Sequence, residues 1–235
     1  MKLKDIISES RERLGLLIFN PEKLFENINK EKSYPKPIFY FAIPYIIIAV
    51  ITPILETISI LIRGGFFEKA LNILMMPYNI ILSALAAAPF AFATPFVASV
   101  MVNLGLLIFK TKVEFIKTFR IVSYSLIINL FYVFLILFIN TFFGNIFDPV
   151  GFSSLIATPI IVFLGIAAIF HTLFLIIKGI SFEYKISKKR AFGAIIIVPI
   201  IIIILTLLFF IITGAAIYLI VDYFLLSGRL EEFLS

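Results

Sequence analysis

Over most of this chain the apolar residues neither alternate nor recur at helical spacing; they run on continuously. Ile38 to Ile62 is one such run of about 25 residues, long enough to cross a hydrocarbon core of roughly 30 Å at about 1.5 Å per residue. Ile121–Phe143, Ser154–Ile177 and Ala191–Val221 read the same way. Ala70 to Phe109 is an uninterrupted apolar run of about 40 residues, about 60 Å as helix, too long for one simple span and without a polar turn to divide it. Before Ile38 the pattern changes. Leu3, Ile6, Ile7, Leu14, Leu17 and Ile18 recur at helical spacing in a polar background, which predicts an amphipathic helix on the bilayer surface. Asn20-Pro21-Glu22 has the form of an N-cap, a proline at the first helical position and an acid in the first turn, opening a second short helix with Leu24, Phe25 and Ile28 on one side. These two helices pack at the interface or, alternatively, form a docking arm for a soluble partner. Tyr34-Pro35-Lys36-Pro37 ends the segment and turns the chain into the membrane.

Charge decides the number of spans. Eight basic residues precede Ile38, four (Lys110, Lys112, Lys117, Arg120) follow Phe109, and five (Lys178, Lys185, Lys188, Lys189, Arg190) follow the fourth run, together seventeen of the twenty. Dividing the long run into two spans would place Lys110 to Arg120 outside, against the tendency of basic loops to remain cytoplasmic. The sequence therefore predicts an interfacial helix from Phe66 to Tyr78, broken at Pro77, followed by one span from Ile80 to Phe109. The fold class is all-α, a polytopic bundle of five transmembrane helices with amphipathic N-terminal helices. It divides into a cytoplasmic N-terminal region (1–37), a transmembrane domain (38–221) and a short non-cytoplasmic tail (222–235). The expected location is the cell membrane, with a cytoplasmic N-terminus.

Composition agrees with this reading: 62% of residues are hydrophobic, 14% charged, and the mean hydropathy is +1.13. The net charge of +6 belongs to the loops and signals anionic lipid headgroups rather than nucleic acid. With no cysteine, thiolate and disulfide chemistry are excluded. The chain also carries no phosphate loop, zinc-type histidine motif, nucleophile elbow or internal repeat. No catalytic residue, metal ligand or cofactor is assigned.

Three stretches together resemble the Yip domain family, the Ypt/Rab-interacting membrane proteins and their prokaryotic relatives. NPEKLFENI, followed by a proline and the first span, is similar to the family's opening; TFRIVSYS, with Phe119 and Tyr124, resembles its signature at the entry of the third span; KGISFEYKISKKRA, with Gly179, Ser187, Arg190 and Ala191, resembles its last cytoplasmic loop. The likeness runs from Asn20 to about Phe210. The family usually has a proline a few residues after the tyrosine, where this chain has Ile127, Ile128 and Asn129. The resemblance implies a non-enzymatic membrane scaffold or adaptor, and its eukaryotic members are linked to small GTPases and vesicle traffic.

Polar residues within the spans are the remaining candidates for function. Asn103, Tyr124, Asn129 and His171 lie at a common depth, about 6 to 14 Å from the basic edge, and polar groups there must face other helices or a wet cavity. They form either interhelical hydrogen bonds or a shallow groove for lipid headgroups, the basis of an alternative function in lipid binding or translocation. Glu56 is close enough to the outer end of its span to reach the interface. Lys110, Lys112, Lys117, Arg120, Lys185, Lys188, Lys189 and Arg190 are the candidate contacts for anionic lipid or a protein partner. Ala84/Ala88 and Ala87/Ala91 allow close helix approach, within a central second span or between copies in a homo-oligomer. The charge pattern generates a direct test in this cysteine-free chain: a membrane-impermeant thiol reagent added outside should label Ser235→Cys and spare Lys112→Cys, and the reverse pattern would refute the orientation.

Overall fold

The computed structural model describes residues 12–29, 35–142 and 152–226, and within these every regular element is helical. Two short helices, α1 (12–19) and α2 (Pro21–Asn29), precede five long ones: α3 (Pro35–Arg63), α4 (Phe66–Ile108), α5 (Phe115–Ile139), α6 (Phe152–Tyr184) and α7 (Lys188–Leu226). All five long helices are apolar and long enough to cross a membrane. The apolar stretch around Leu3, Ile6 and Ile7, the Tyr34 turn, and Arg229, Glu231 and Glu232 of the tail lie outside the described residues.

The expected break at Pro77 does not occur, and α4 is one helix through Pro77, Pro89 and Pro95. A proline removes one backbone donor from a helix but not the rest of the ladder. The flanking residues here are mostly apolar and include no charged residue or glycine, leaving the chain no ready turn into which it could break. At about 64 Å, α4 is roughly twice as long as a hydrocarbon core is thick. Its buried residues, Ala87, Ala91, Pro95, Ser99, Val102, Asn103, Gly105 and Leu106, all lie in the half nearer α5. α7 is divided in the same way at Pro199. Ala191, Ala194, Ile195 and Val198 are buried before it, whereas the apolar residues from Ile200 to Tyr223 face outward.

The most buried span is α5 rather than the expected second span, and it touches α2, α3, α4 and α6. Thr118, Ser123 and Ser125, all fully buried, keep its first turns slim enough for neighbours to close in. The connections at this end are short and locally determined. α4 ends in a Schellman turn: the Lys110 N–H donates to Leu107 O (2.8 Å), the Thr111 N–H to Leu106 O (3.0 Å), and Lys110 adopts φ 54°. Between α6 and α7, Lys185 takes φ 51°, the Ser181 hydroxyl donates to Ile186 O (2.6 Å), and Ser187 Oγ accepts the Arg190 N–H (3.3 Å) as the N-cap of α7.

A close helix crossing joins α4 to α7. A Cβ added at Gly105 would collide with the Ala194 carbonyl, so the two backbones are in direct contact there; at Gly165 on α6 an added Cβ meets nothing within 4 Å. Gly105→Ala should therefore cost about 1–3 kcal/mol through forced separation of the helices. Gly165→Ala should be neutral or stabilising by up to about 1 kcal/mol. SDS titration followed by circular dichroism compares the two, and equal effects would contradict this crossing.

Candidate functional site

The three stretches that carry the family resemblance meet at the basic end of the bundle. The helix opened by NPEKLFENI, α2, begins as expected: Asn20 Oδ1 accepts the Lys23 N–H (3.3 Å). Its apolar side does not rest on lipid. Leu24, Phe25 and Ile28 are fully buried in the protein core, against α5 and α6. Phe25 fills a notch at Gly179, where an added Cβ would lie 2.9 Å from Phe25 Cζ and 2.5 Å from Ile121 Cγ2. At the start of α2, Glu22 pairs with Lys178 (3.0 Å). At its end, Arg120 Nη1 donates to the Ile28 carbonyl (2.8 Å), placing a guanidinium on one of the last carbonyls of the helix, where both unmet hydrogen bonding and the helix dipole favour a cation.

Arg120 is only 6% exposed, and its guanidinium is turned into the protein. The positive charge that the sequence suggests for the membrane surface is used inside the protein. Lys117 is likewise engaged, with Glu114 (3.1 Å) and Glu183 (3.2 Å). Arg190 donates to the Phe109 carbonyl and joins the start of α7 to the end of α4. Lys110, Lys112, Lys185, Lys188 and Lys189 remain exposed and form an outward rim.

The four polar candidates share a depth but do not converge. Asn103 accepts from Thr118 Oγ1 (2.8 Å), Tyr124 accepts from Arg13 Nη1, and Tyr132 lies 3.3 Å from His171 Nδ1 with the rings edge to face. Asn129, with Thr94, lines a separate cavity of about 320 Å³ between α3, α4 and α5. Asn103 and Tyr124 bond side chains on other helices, Tyr132 lies against His171, and Asn129 stands apart from all of them. Ala87 and Ala91 are also used within the bundle, being buried on the packed face of α4. Glu56 is exposed on α3.

Two features escape a reading by residue type. The first is a polar relay across three helices: the Glu114 N–H donates to the Tyr184 hydroxyl (3.3 Å), which lies 2.8 Å from Thr118 Oγ1, which donates to Asn103. Each hydroxyl has one proton, so the groups are satisfied head to tail when Tyr184 donates to Thr118; the Glu114 carbonyl at 3.0 Å is the competing acceptor. The second is Arg13, which stacks over Tyr40 (4.7 Å to the ring centroid) and Tyr124 (5.2 Å) and lines, with apolar residues of α1, α3 and α5, a cavity of about 300 Å³. Its only sequence signal is its position one residue before Leu14 on the apolar side of the first helix.

The relay generates a double-mutant cycle. Thr118→Val should cost about 1–2 kcal/mol by removing the middle of the chain, and Tyr184→Phe less, because its end is open to water. If the relay acts as a unit, the double variant costs clearly less than the two singles together; additivity within about 0.3 kcal/mol would reject it.

Neither a curated protein nor a solved structure matches this chain. The family model described as the Yip1 domain matches residues 14–211, a range that takes in α2, the Arg120 and Gly179 contacts and the packed half of α7. The chain is a multi-pass membrane protein that belongs to the Yip1 domain family.

Proposed function

We propose that this protein is a non-enzymatic scaffold or adaptor of the cell membrane, with its N-terminus and basic end in the cytoplasm, where a lysine rim engages anionic lipid headgroups and presents a fixed surface to a protein partner. The observation that carries this reading is the division of labour among the basic residues. Arg120, Lys178, Lys117 and Arg190 tie the end together, while Lys110, Lys112, Lys185, Lys188 and Lys189 project from it. Each exposed lysine beside an anionic leaflet contributes about 1 kcal/mol of attraction. Family membership supports the non-enzymatic part, since Yip1 family members are not known as enzymes.

The test separates the rim from the framework. Changing the five exposed lysines to glutamine should leave the unfolding midpoint in detergent unchanged and strongly reduce the anionic phospholipid that co-purifies from native membranes. Photo-crosslinkers at positions 112 and 188 should capture anionic phospholipid or a discrete protein in the wild-type background. Unaltered lipid content in the five-lysine variant, together with no specific adduct at either position, would overturn the reading.

A further inference from the structure

Asn129 shares its cavity of about 320 Å³ with two other polar side chains, Tyr45 of α3 and Thr94 of α4, so that each of the three helices around it supplies one. Among the described residues none of these three side chains makes a hydrogen bond. The Tyr45 ring packs on Phe41, with 5.7 Å between centroids, and its hydroxyl is unbonded. On the same two helices Thr52, Thr57 and Ser99 donate to the carbonyl one turn back, at 2.9, 2.8 and 2.5 Å; Thr94 makes no such bond. The three groups also lie deep. Thr94 is 14 residues before the end of α4 at Ile108 and Asn129 is 14 residues after the start of α5 at Phe115, about 21 Å along each helix. Counted from the buried Arg120, Asn129 is about 14 Å into a hydrocarbon core of roughly 30 Å, close to its middle. An amide or hydroxyl left unmet at that depth is costly, because water is too scarce to replace the missing partner.

The lining narrows the choice of occupant. It holds no carboxylate, lysine, arginine or histidine, so an ionised ligand would find no counter-charge. The volume is that of about ten waters at roughly 30 Å³ each, and each water needs two or more polar partners, which three side chains in an otherwise aliphatic and aromatic wall do not provide. An occupant that is mostly apolar with a few polar atoms fits instead. The amide of Asn129 carries two protons and each hydroxyl one. These protons are the groups in need of partners, since unmet donors are rarer in folded proteins than under-used oxygens. We infer that this cavity binds an uncharged lipid whose head carries carbonyl oxygens, held at mid-depth by Tyr45, Thr94 and Asn129. Val133 belongs both to the lining and, at 40% exposed, to the outer surface of α5, which gives the lipid tail a way out to the bilayer. Two kinds of neutral membrane lipid offer such carbonyls, the esters of acylglycerols and the ring of quinones.

The chain contains no tryptophan, so one introduced indole reports on a chosen place. The experiment uses the full chain in phosphatidylcholine nanodiscs with decyl-benzoquinone as the probe, because a quinone quenches indole fluorescence at short range. Phe90→Trp puts the reporter one turn before Thr94, at a position 63% exposed and outside the lining; Phe170→Trp, on α6 and 68% exposed, samples bulk lipid 14 residues from the end of its helix at Tyr184. Quenching of Phe90→Trp should saturate, whereas quenching of Phe170→Trp should rise in proportion to the probe. Adding Asn129→Leu, of similar volume, should raise the half-saturating amount about tenfold, the factor that one hydrogen bond in a membrane supplies. Thr94→Val should raise it less. Neither change should lower the unfolding midpoint in detergent, because neither removes a bond made within the chain. Displacement of the probe by dioleoylglycerol shows that ester carbonyls are accepted too, and failure to displace it assigns the site to quinone carbonyls; the inference holds in both cases. Proportional quenching at both reporters, saturation unchanged by Asn129→Leu, or displacement by dodecane, which has no head, overturns it. So does a lower midpoint in Asn129→Leu, which means that the amide is already bonded inside the protein. The rim lysines are unaltered throughout, so failure here is distinguishable from failure of the scaffold reading.

Discussion

A helix C-terminus leaves four carbonyls without partners, and at the entrance to a membrane water is too scarce to satisfy all of them. Arg120 meets that constraint for α2 by donating to the Ile28 carbonyl while buried at the head of α5. Removing a buried guanidinium from water is costly unless hydrogen bonds compensate, so the pair is stable only while α2 stays docked. The docking depends in turn on Gly179, because any side chain there would displace Phe25. Glu22 and Lys178 then fix the other end of the helix. Three segments far apart in sequence are thus mutually dependent through one small helix. The order of the basic end follows from that dependence, because α5, which carries Arg120, also contacts α3, α4 and α6.

Much of this was legible in the residues, and the parts that were not share a physical cause. Long apolar runs are sufficient to define five spans, since only length and hydropathy decide whether a helix can cross a bilayer. The N-cap at Asn20 and the proline after it depend on local backbone chemistry alone, and they stand as read. Residue type by itself does not reveal a partner. Arg120 counts as one more positive charge in a basic loop until the Ile28 carbonyl is placed beside it. Asn103 likewise suggests a shared polar groove until Thr118, an unremarkable residue in sequence, intercepts it at 2.8 Å. Pro77 gave the opposite error: proline weakens a helix locally, but in a predominantly apolar run the cost of exposing an unpaired turn is greater, and α4 remains continuous.

Packing is distributed unevenly along the bundle axis, and the unevenness has consequences for where activity can reside. The first half of α4 and α7 beyond Pro199 present apolar side chains outward on nearly every face, as helices bathed in lipid do. Their hydrophobic character drives insertion, and few of their side chains are buried in the rest of the chain. Toward the basic end the same helices come within backbone contact at Gly105 and Ala194, and the connections are set by a Schellman turn, a serine N-cap and the relay from Glu114 to Asn103. A protein organised in this way is fixed at one membrane surface and loosely bounded elsewhere.

That asymmetry also divides the basic residues of one end into two kinds. The rim lysines lie on the short connections, projecting from a framework already held by Arg190, Lys117 and Lys178, so neutralising them removes charge without removing support. Arg13 is placed differently. Its guanidinium is held between Tyr40 and Tyr124, rings that belong to α3 and α5, so its position reports the separation of those two spans. The exposed lysines are held by their own connections alone, whereas the place of Arg13 depends on two spans at once.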